Sequence, residues 1–279
     1  MPASPLPTRQ IGDITVTAIS DGYMPESLGF LSNIDPADAR RMQESTGARD
    51  PTAIHTSGYL LRMKGRTILV DTGTGGLRHA GGKLRDNLSL AGVAPSDIDA
   101  ILLTHAHPDH IGGLLNTPDD AGFPNAEIIL NESELAFWQD DGNLSRASER
   151  ARANFLVVRK VFEENRDRLC PFIGGEVLPG VTALSLPGHT AGHTGYRLDS
   201  GADSLLIWGD IVHFPAIQIA RPDVSIAFDL DANLAAATRS KLLDCVASER
   251  LLIAGMHLGE RGFARIERTG AGYALNGCA

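Results

Sequence analysis

Apolar and polar positions alternate over residues 13–20 (DITVTAIS), and the β-branched character of the run predicts a strand. Residues 56–71 (TSGYLLRMKGRTILVD) read as a hairpin turning at Lys64-Gly65, and Asp71-Thr72-Gly73 closes its second strand before a Gly-rich loop that runs to Gly82. The compact apolar run 98–103 (IDAILL) predicts a buried strand. Further strands are expected at 126–130, 180–186, 194–199, 203–209, 250–256 and 263–268. Helical spacing marks 83–92, 132–140, 145–168 and 231–247, while 25–52, polar and rich in Pro and Asp, reads as a loop with a short helix. The first dozen residues are expected to be a loose arm. Two halves each run from strands to a ligand-bearing loop to helices. Mixed strands and helices with short links predict an α/β fold of sheets covered by helices, one layered domain across 1–279.

Composition narrows the function classes. The chain has 279 residues, 43% hydrophobic and 21% charged, which is ordinary for a globular enzyme and long enough for a substantial core. Its net charge is −9 with a pI near 5.4 and no Lys/Arg cluster, so nucleic acid is not an expected partner. No stretch approaches a membrane span. The start MPASPLPTRQ has no basic residues followed by an apolar run, so the expected compartment is the cytoplasm. Three widely spaced cysteines, Cys170, Cys245 and Cys278, form no CxxC pair and predict neither a disulfide framework nor a cysteine metal site.

The histidines change the picture. Directly after the apolar run 98–103 comes Thr104-His105-Ala106-His107-Pro108-Asp109-His110-Ile111-Gly112-Gly113. His105 and His107 share one side of an extended backbone, which Pro108 favours at His107. Asp109 and His110 follow at the start of a helix. Imidazoles and a carboxylate at this density suit a borderline metal such as zinc. Three later segments repeat the device of a strand ending in one ligand-type residue: His189 in Leu186-Pro187-Gly188-His189, Asp210 after Leu206-Ile207-Trp208-Gly209, and His257 after Ala254-Gly255-Met256. Together they point to ligands at strand ends facing one cleft. No GxSxG elbow and no Cys–His pair offers a side-chain nucleophile.

The order HxHxDH, then GHTxGH (188–193), then Gly209-Asp210, then a late His, resembles the metallo-β-lactamase superfamily, and Leu69-Val70-Asp71-Thr72-Gly73 matches a further landmark. The resemblance spans about residue 55 to residue 260. It implies an αββα sandwich with a metal cleft at one edge. It implies that His105, His107 and His189 hold a first metal, that Asp109, His110 and His257 hold a second, and that Asp210 bridges both. Asp71 is implied to orient a ligand histidine, and His193 to be structural. The implied cofactors are two divalent ions, zinc first, with manganese, cobalt or iron suited to the same donors. Such a pair activates a water at neutral pH for attack on a carbonyl carbon or a phosphorus atom, and Asp109 could orient that nucleophile or shuttle a proton.

Within the superfamily the chain is most like methyl parathion hydrolase and its lactonase and aryl esterase relatives, on LLTHAHPDHIGGL, FPNAEIILNESELAFW (123–138) and HLGERGFARIERTGAGY (257–273). Those relatives line the pocket with aromatic residues. Trp138 and Phe155 match two of them, or are core aromatics of amphipathic helices. Near Leu77-Arg78 the expected aromatic is missing. Arg78 and His213 make a more polar pocket if they face the substrate, and are solvated groups if they do not. That polarity favours a lactone or carboxylic ester over an organophosphate triester. A β-lactamase, a nuclease, an iron oxidoreductase and a non-catalytic metal-binding protein are weaker fits. The partner expected is a small-molecule substrate, and homodimers are the analogy that related hydrolases offer.

Overall fold

A computed structural model describes residues 6–115, 122–270 and 272–276. The earlier part of the chain builds a seven-stranded sheet whose spatial order is its chain order: β1 (Thr8–Ile11), β2 (Ile14–Pro25), β3 (Ala53–Met63), β4 (Arg66–Val70), β5 (Ala100–Leu102), β6 (Glu127–Asn131) and β7 (Leu169–Phe172). The later part builds a second seven-stranded sheet, from β8 (Gly175–Leu178), β9 (Val181–Ser185), β10 (Thr194–Ser200) and β11 (Asp203–Ile207) to β12 (Leu252–Ala254), β13 (Phe263–Thr269) and β14 (Gly272–Asn276). The helices are α1 (Pro36–Glu44), α2 (Leu84–Leu90), α3 (Pro108–Ile111), α4 (Glu132–Gln139), α5 (Asp141–Arg146), α6 (Glu149–Glu164), α7 (Pro215–Gln218) and α8 (Ala232–Glu249). None is long and apolar enough to cross a membrane.

Strand β5 shows why the sequence needed apolar runs rather than alternation. Ala100 and Leu102 enter the core between the two sheets with Val16, Leu61, Leu198 and Leu205. Ile101 and the following Leu103 point the other way, into a core shared with Leu88 of α2 and Val158 of α6. On the far side, Leu206 and Ile253 pack against Leu242 and Val246 of α8. Buried on both faces, each central strand must be apolar throughout, and the layers stack as helix, sheet, sheet, helix. The αββα expectation holds.

Strand direction gathers one edge. β4, β5 and β6 are mutually parallel, so Asp71 and the segment 104–110 leave the first sheet on the same side. In the second sheet β11 and β12 are parallel, and β9 runs with β11 because both are antiparallel to β10. His189, Asp210 and His257 therefore leave at a common edge too. The expected hairpin is present: Met63 pairs with Arg66, and Lys64 and Gly65 have φ of 48° and 76°, a two-residue turn matched to strand twist.

Four expectations need correction. Residues 8–11 are not loose: Thr8–Ile11 pairs antiparallel with β2 across a Gly12-Asp13 turn, with Ile11 buried. The helix expected over 145–168 is two. Ala147 is extended and Ser148 caps α6 by accepting from Ala151 N, as serine at such a position commonly does. Strand β2 runs on past Ser20 to Pro25 through a bulge at Asp21. Strands β7, β8 and β14 and the short α7 had no expectation. β7 and β14 are edge strands, β7 carries Pro171, and β14 has no alternation in burial, so neither leaves a strand signature. Cys170 and Cys245 are exposed free thiols, and Cys278 lies outside the described residues.

Candidate metal centre

At the shared edge, one carboxylate oxygen sits among imidazoles. Asp210 Oδ2 lies 3.2 Å from His110 Nε2, 3.2 Å from His213 Nε2, 3.3 Å from His257 Nε2, 3.4 Å from His189 Nε2 and 3.7 Å from His105 Nε2. His105, His107 and His189 converge on one side, with His107 Nδ1 at 3.1 Å from His105 Nε2 and 3.0 Å from His189 Nε2. Asp109, His110, Asp210 and His257 converge on the other, their donor atoms all within 4.8 Å of one another. His189, Asp210 and His213 make a third such group, so His213 is a further donor that the sequence placed only in the pocket.

The charges in this cluster fit cations. Burial, and then the neighbouring imidazoles, hold His105 and His107 well below the usual histidine value. Burial also disfavours charge on His189, but Asp210 and Asp229 outweigh it and push it up to about 9. Asp210, Asp109 and Asp71 likewise overcome burial and raise His110. Without other positive charge, the carboxylates hold protons on His110 and His189. A divalent ion would supply the same charge and free those nitrogens as ligands. Three buried atoms of the cluster, His110 Nε2, Asp210 Oδ1 and His213 Nδ1, have no hydrogen-bond partner, as expected of groups meant for another ligand. The donor set of imidazoles and carboxylates suits zinc.

The positions of these donors are fixed from behind. Asp71 accepts at 2.7 Å from His110 Nδ1 and from both the backbone N and hydroxyl of Thr104, tying β4 to the HxHxDH loop. It has φ of 56°, an unusual conformation for a non-glycine residue held here by those bonds. His257 Nδ1 donates to the His55 carbonyl at 2.8 Å. His193 donates from Nδ1 to the Leu186 carbonyl and accepts from Asp210 N at 2.9 Å through Nε2, so both its nitrogens are spent on backbone. Glycine is required at 209, where φ is 59° and a Cβ would lie 2.4 Å from that His193 nitrogen.

A cleft of about 410 Å³ opens over the cluster. His107, Asp109, His189, Asp210, His213 and His257 form its floor. Trp138 and Phe155, ring centroids 4.6 Å apart, are both buried core residues of the first sheet's helical layer and both line the cleft, so the two readings of these aromatics merge. Arg78 lines the rim and donates to Asn154 Oδ1 at 3.1 Å. Across the rim Arg150 lies between the rings of Phe30 and Phe228, 4.3 Å and 4.1 Å from their centroids, and 3.8 Å from Glu26.

Residues 51–257 match the model of the metallo-beta-lactamase superfamily. The chain belongs to this superfamily. A crystal structure of the hydrolase AbOPH in the beta lactamase superfamily superposes with a TM-score of 0.91 at 27% identity, covering 100% of this chain and 99% of that one. AidC, a dizinc quorum-quenching lactonase solved with its product N-hexanoyl-L-homoserine, superposes with a TM-score of 0.90 at 25% identity over 98% of this chain and 97% of that one. Among curated proteins, YobT of Bacillus subtilis is 25% identical over 57% of this chain and 63% of its own length. An N-acyl homoserine lactonase of Bacillus cereus is 25% identical over 43% of this chain and 40% of its own. The chain thus spans about two-thirds or less of these curated relatives.

Two residues that support this metallo-beta-lactamase site escaped the sequence reading. Asp229 accepts at 2.8 Å from His189 Nδ1. Glu134 is buried and contacts both histidine loops. Neither belongs to the His/Asp motifs, and a lone Asp in a loop or a Glu in the first turn of a helix reads as ordinary capping. Spatial proximity alone identifies them.

Proposed function

We propose that the protein is a dinuclear metal-dependent hydrolase that opens a lactone or cleaves a carboxylic ester. The observation that carries this reading is the position of Asp210 Oδ2, within 3.7 Å of ring nitrogens from both donor groups. His105, His107 and His189 would hold one ion, Asp109, His110 and His257 the other, and Asp210 both. When bound, two such ions, zinc by preference, supply Lewis acidity and lower the pKa of a coordinated water.

The chain's own groups do the rest. Water adds to the carbonyl carbon, the acyl C–O bond breaks, and the departing alkoxide takes a proton. Asp109, partly exposed at the cleft floor, would take and pass that proton through the carboxylate oxygen not committed to the ion, since its Oδ2 faces His110 Nε2 at 3.2 Å and His257 Nε2 at 3.7 Å. The apolar wall formed by Trp138, Phe155 and Phe137 suits an acyl chain or aryl group. Arg78 and His213 offer donors to the carbonyl or to the carboxylate as it forms. The similarity to AidC, a lactonase, supports the same substrate class.

An aryl phosphotriester is the second reading, because one activated water serves both chemistries. The zinc-loaded protein should hydrolyse an aryl lactone with kcat/KM at least a hundredfold above that for an aryl phosphotriester, about 2.7 kcal/mol in transition-state binding. The reverse preference would assign a phosphotriesterase. Two bound zinc ions with no turnover of either class would leave a metal-binding protein.

A further inference from the structure

Glu134, on the first turn of α4, is 1% exposed and uses all four acceptor directions of its carboxylate. Oε1 accepts from Ala106 N at 2.9 Å and from Trp138 Nε1 at 2.7 Å. Oε2 accepts from Thr190 Oγ1 at 2.7 Å and from Gly192 N at 2.8 Å. Ala106 stands between His105 and His107, and Thr190 follows His189. One side chain therefore grips both loops that carry the three-histidine group, together with an aromatic wall of the cleft. Trp138 in turn meets His107 edge-on, ring centroids 5.8 Å apart.

The fit of loop to helix is close. A Cβ on Gly192 would lie 2.5 Å from Glu134 N and 2.7 Å from Glu134 Cβ, so the second glycine of GHTxGH is what lets the His189 loop reach this carboxylate. A Glu three residues after an N-cap such as Asn131 usually turns back to the cap's own N–H; here all four of its bonds go to the site. A group that only filled the core would not need to join two loops separated by more than eighty residues, both ending in donors to one ion.

We propose that Glu134 is a positioning residue that sets the spacing of His107 and His189, and through Trp138 couples that spacing to the substrate wall. This inference rests on the dinuclear reading above. Glu134→Gln gives the discriminating variant. Its amide NH2 can be accommodated beside Thr190, whose hydroxyl can turn to accept, but it must face Gly192 N–H, donor against donor. The Ala106 side is kept and the His189 loop is loosened.

The test is a competitive zinc titration of the metal-free protein against a chromophoric chelator, read with the cobalt(II) absorption spectrum. Glu134→Gln should weaken one of two zinc equivalents about tenfold to a hundredfold, the range for a lost outer partner of a ligand, and leave the other near the wild-type value. Thr190→Val, which removes one donor and leaves the carboxylate in place, should shift the same equivalent less. If Glu134→Gln does not fold, Thr190→Val decides alone. Two unchanged equivalents in the variants, or both weakened alike, would overturn the proposal and leave Glu134 a satisfied core group. A wild-type protein that takes up fewer than two zinc ions would overturn the dinuclear reading itself, and this inference with it.

Discussion

His189 Nδ1 donates to Asp229 Oδ1 at 2.8 Å, which leaves His189 Nε2 turned toward Asp210. The carboxylate thereby selects the tautomer and the ring orientation that a metal ligand needs. Its other oxygen accepts from Ile226 N at 3.1 Å, so Asp229 also closes the 226–229 turn over the cleft. Asp229→Asn keeps an acceptor but removes the charge. It should lower zinc affinity about tenfold, and Asp229→Ala up to about a hundredfold, measured by chelator competition. Unchanged affinity in both would make the contact incidental.

The parts of this molecule that were legible in the sequence share one physical cause. Strands buried on both faces must be apolar, and ligands at their ends must be His or Asp, so 98–110 and 203–210 announce themselves. The Lys64-Gly65 turn was legible because its two positive φ angles leave little choice of residue. Strands β7 and β14 were not, because an edge strand half exposed to water needs no pattern. Asp21 was not either. A bulge in β2 turns its carboxylate inward to accept from Thr74 N, Gly82 N and Leu84 N, and so it organises the loop that carries Arg78. Glu134 and Asp229 act across the fold, through partners 28 to 58 and 40 residues away, and such pairings have no local signature.

The Gly112-Gly113 pair tests packing directly. A Cβ on Gly112 would lie 2.0 Å from the Thr74 carbonyl oxygen, a backbone atom that cannot step aside without moving the 72–76 loop, which is itself pinned where Thr72 N donates to the His110 carbonyl at 2.7 Å. Gly112→Ala should cost about 1–3 kcal/mol, the range for an overpacked core, seen as a lower Tm. Gly174→Ala, with nothing within 4 Å of its Cβ, serves as the control and should stay within about 0.5 kcal/mol. Equal behaviour of the two variants would contradict the close approach.

His55 gives the fold a built-in pH dependence. Burial lowers its pKa from 6.5 to about 4, and it packs against Ser20 and Tyr23. As pH falls below 6.5 the unfolded chain binds a proton here while the folded chain does not until near 4. The contribution is therefore present above 6.5 and is lost on going down toward 4. Between pH 7 and pH 5 this one group should remove about 2 kcal/mol of stability. Denaturant titrations of wild type and His55→Gln at both pH values isolate it, because the metal ligands contribute to both proteins. The wild type should lose about 2 kcal/mol more than the variant; parallel losses would mean that His55 titrates normally.

Arg78 and His213 sit at opposite depths of the cleft, and the proposed lactone hydrolysis gives them roles that should separate in the kinetics. Arg78 is at the exposed rim, held by Asn154, where it can grip a ground-state carbonyl or a carboxylate. His213 is buried, its Nε2 3.2 Å from Asp210 Oδ2, beside the donors where the proposed hydrolysis would develop charge on the attacked oxygen. Arg78 already has a φ of 55°, so Ala in its place brings no new backbone strain. Arg78→Ala should raise KM for the lactone about tenfold with kcat nearly unchanged, the pattern of uniform binding. His213→Leu should lower kcat about tenfold to a hundredfold, as loss of a donor to developing charge does, with zinc content checked because His213 is also a candidate donor. Turnover of a neutral phosphotriester, which needs no grip on a carboxylate, should change little in Arg78→Ala, so the lactone preference should shrink. A preference that survives both substitutions would place substrate choice in the aromatic wall of Trp138 and Phe155 instead.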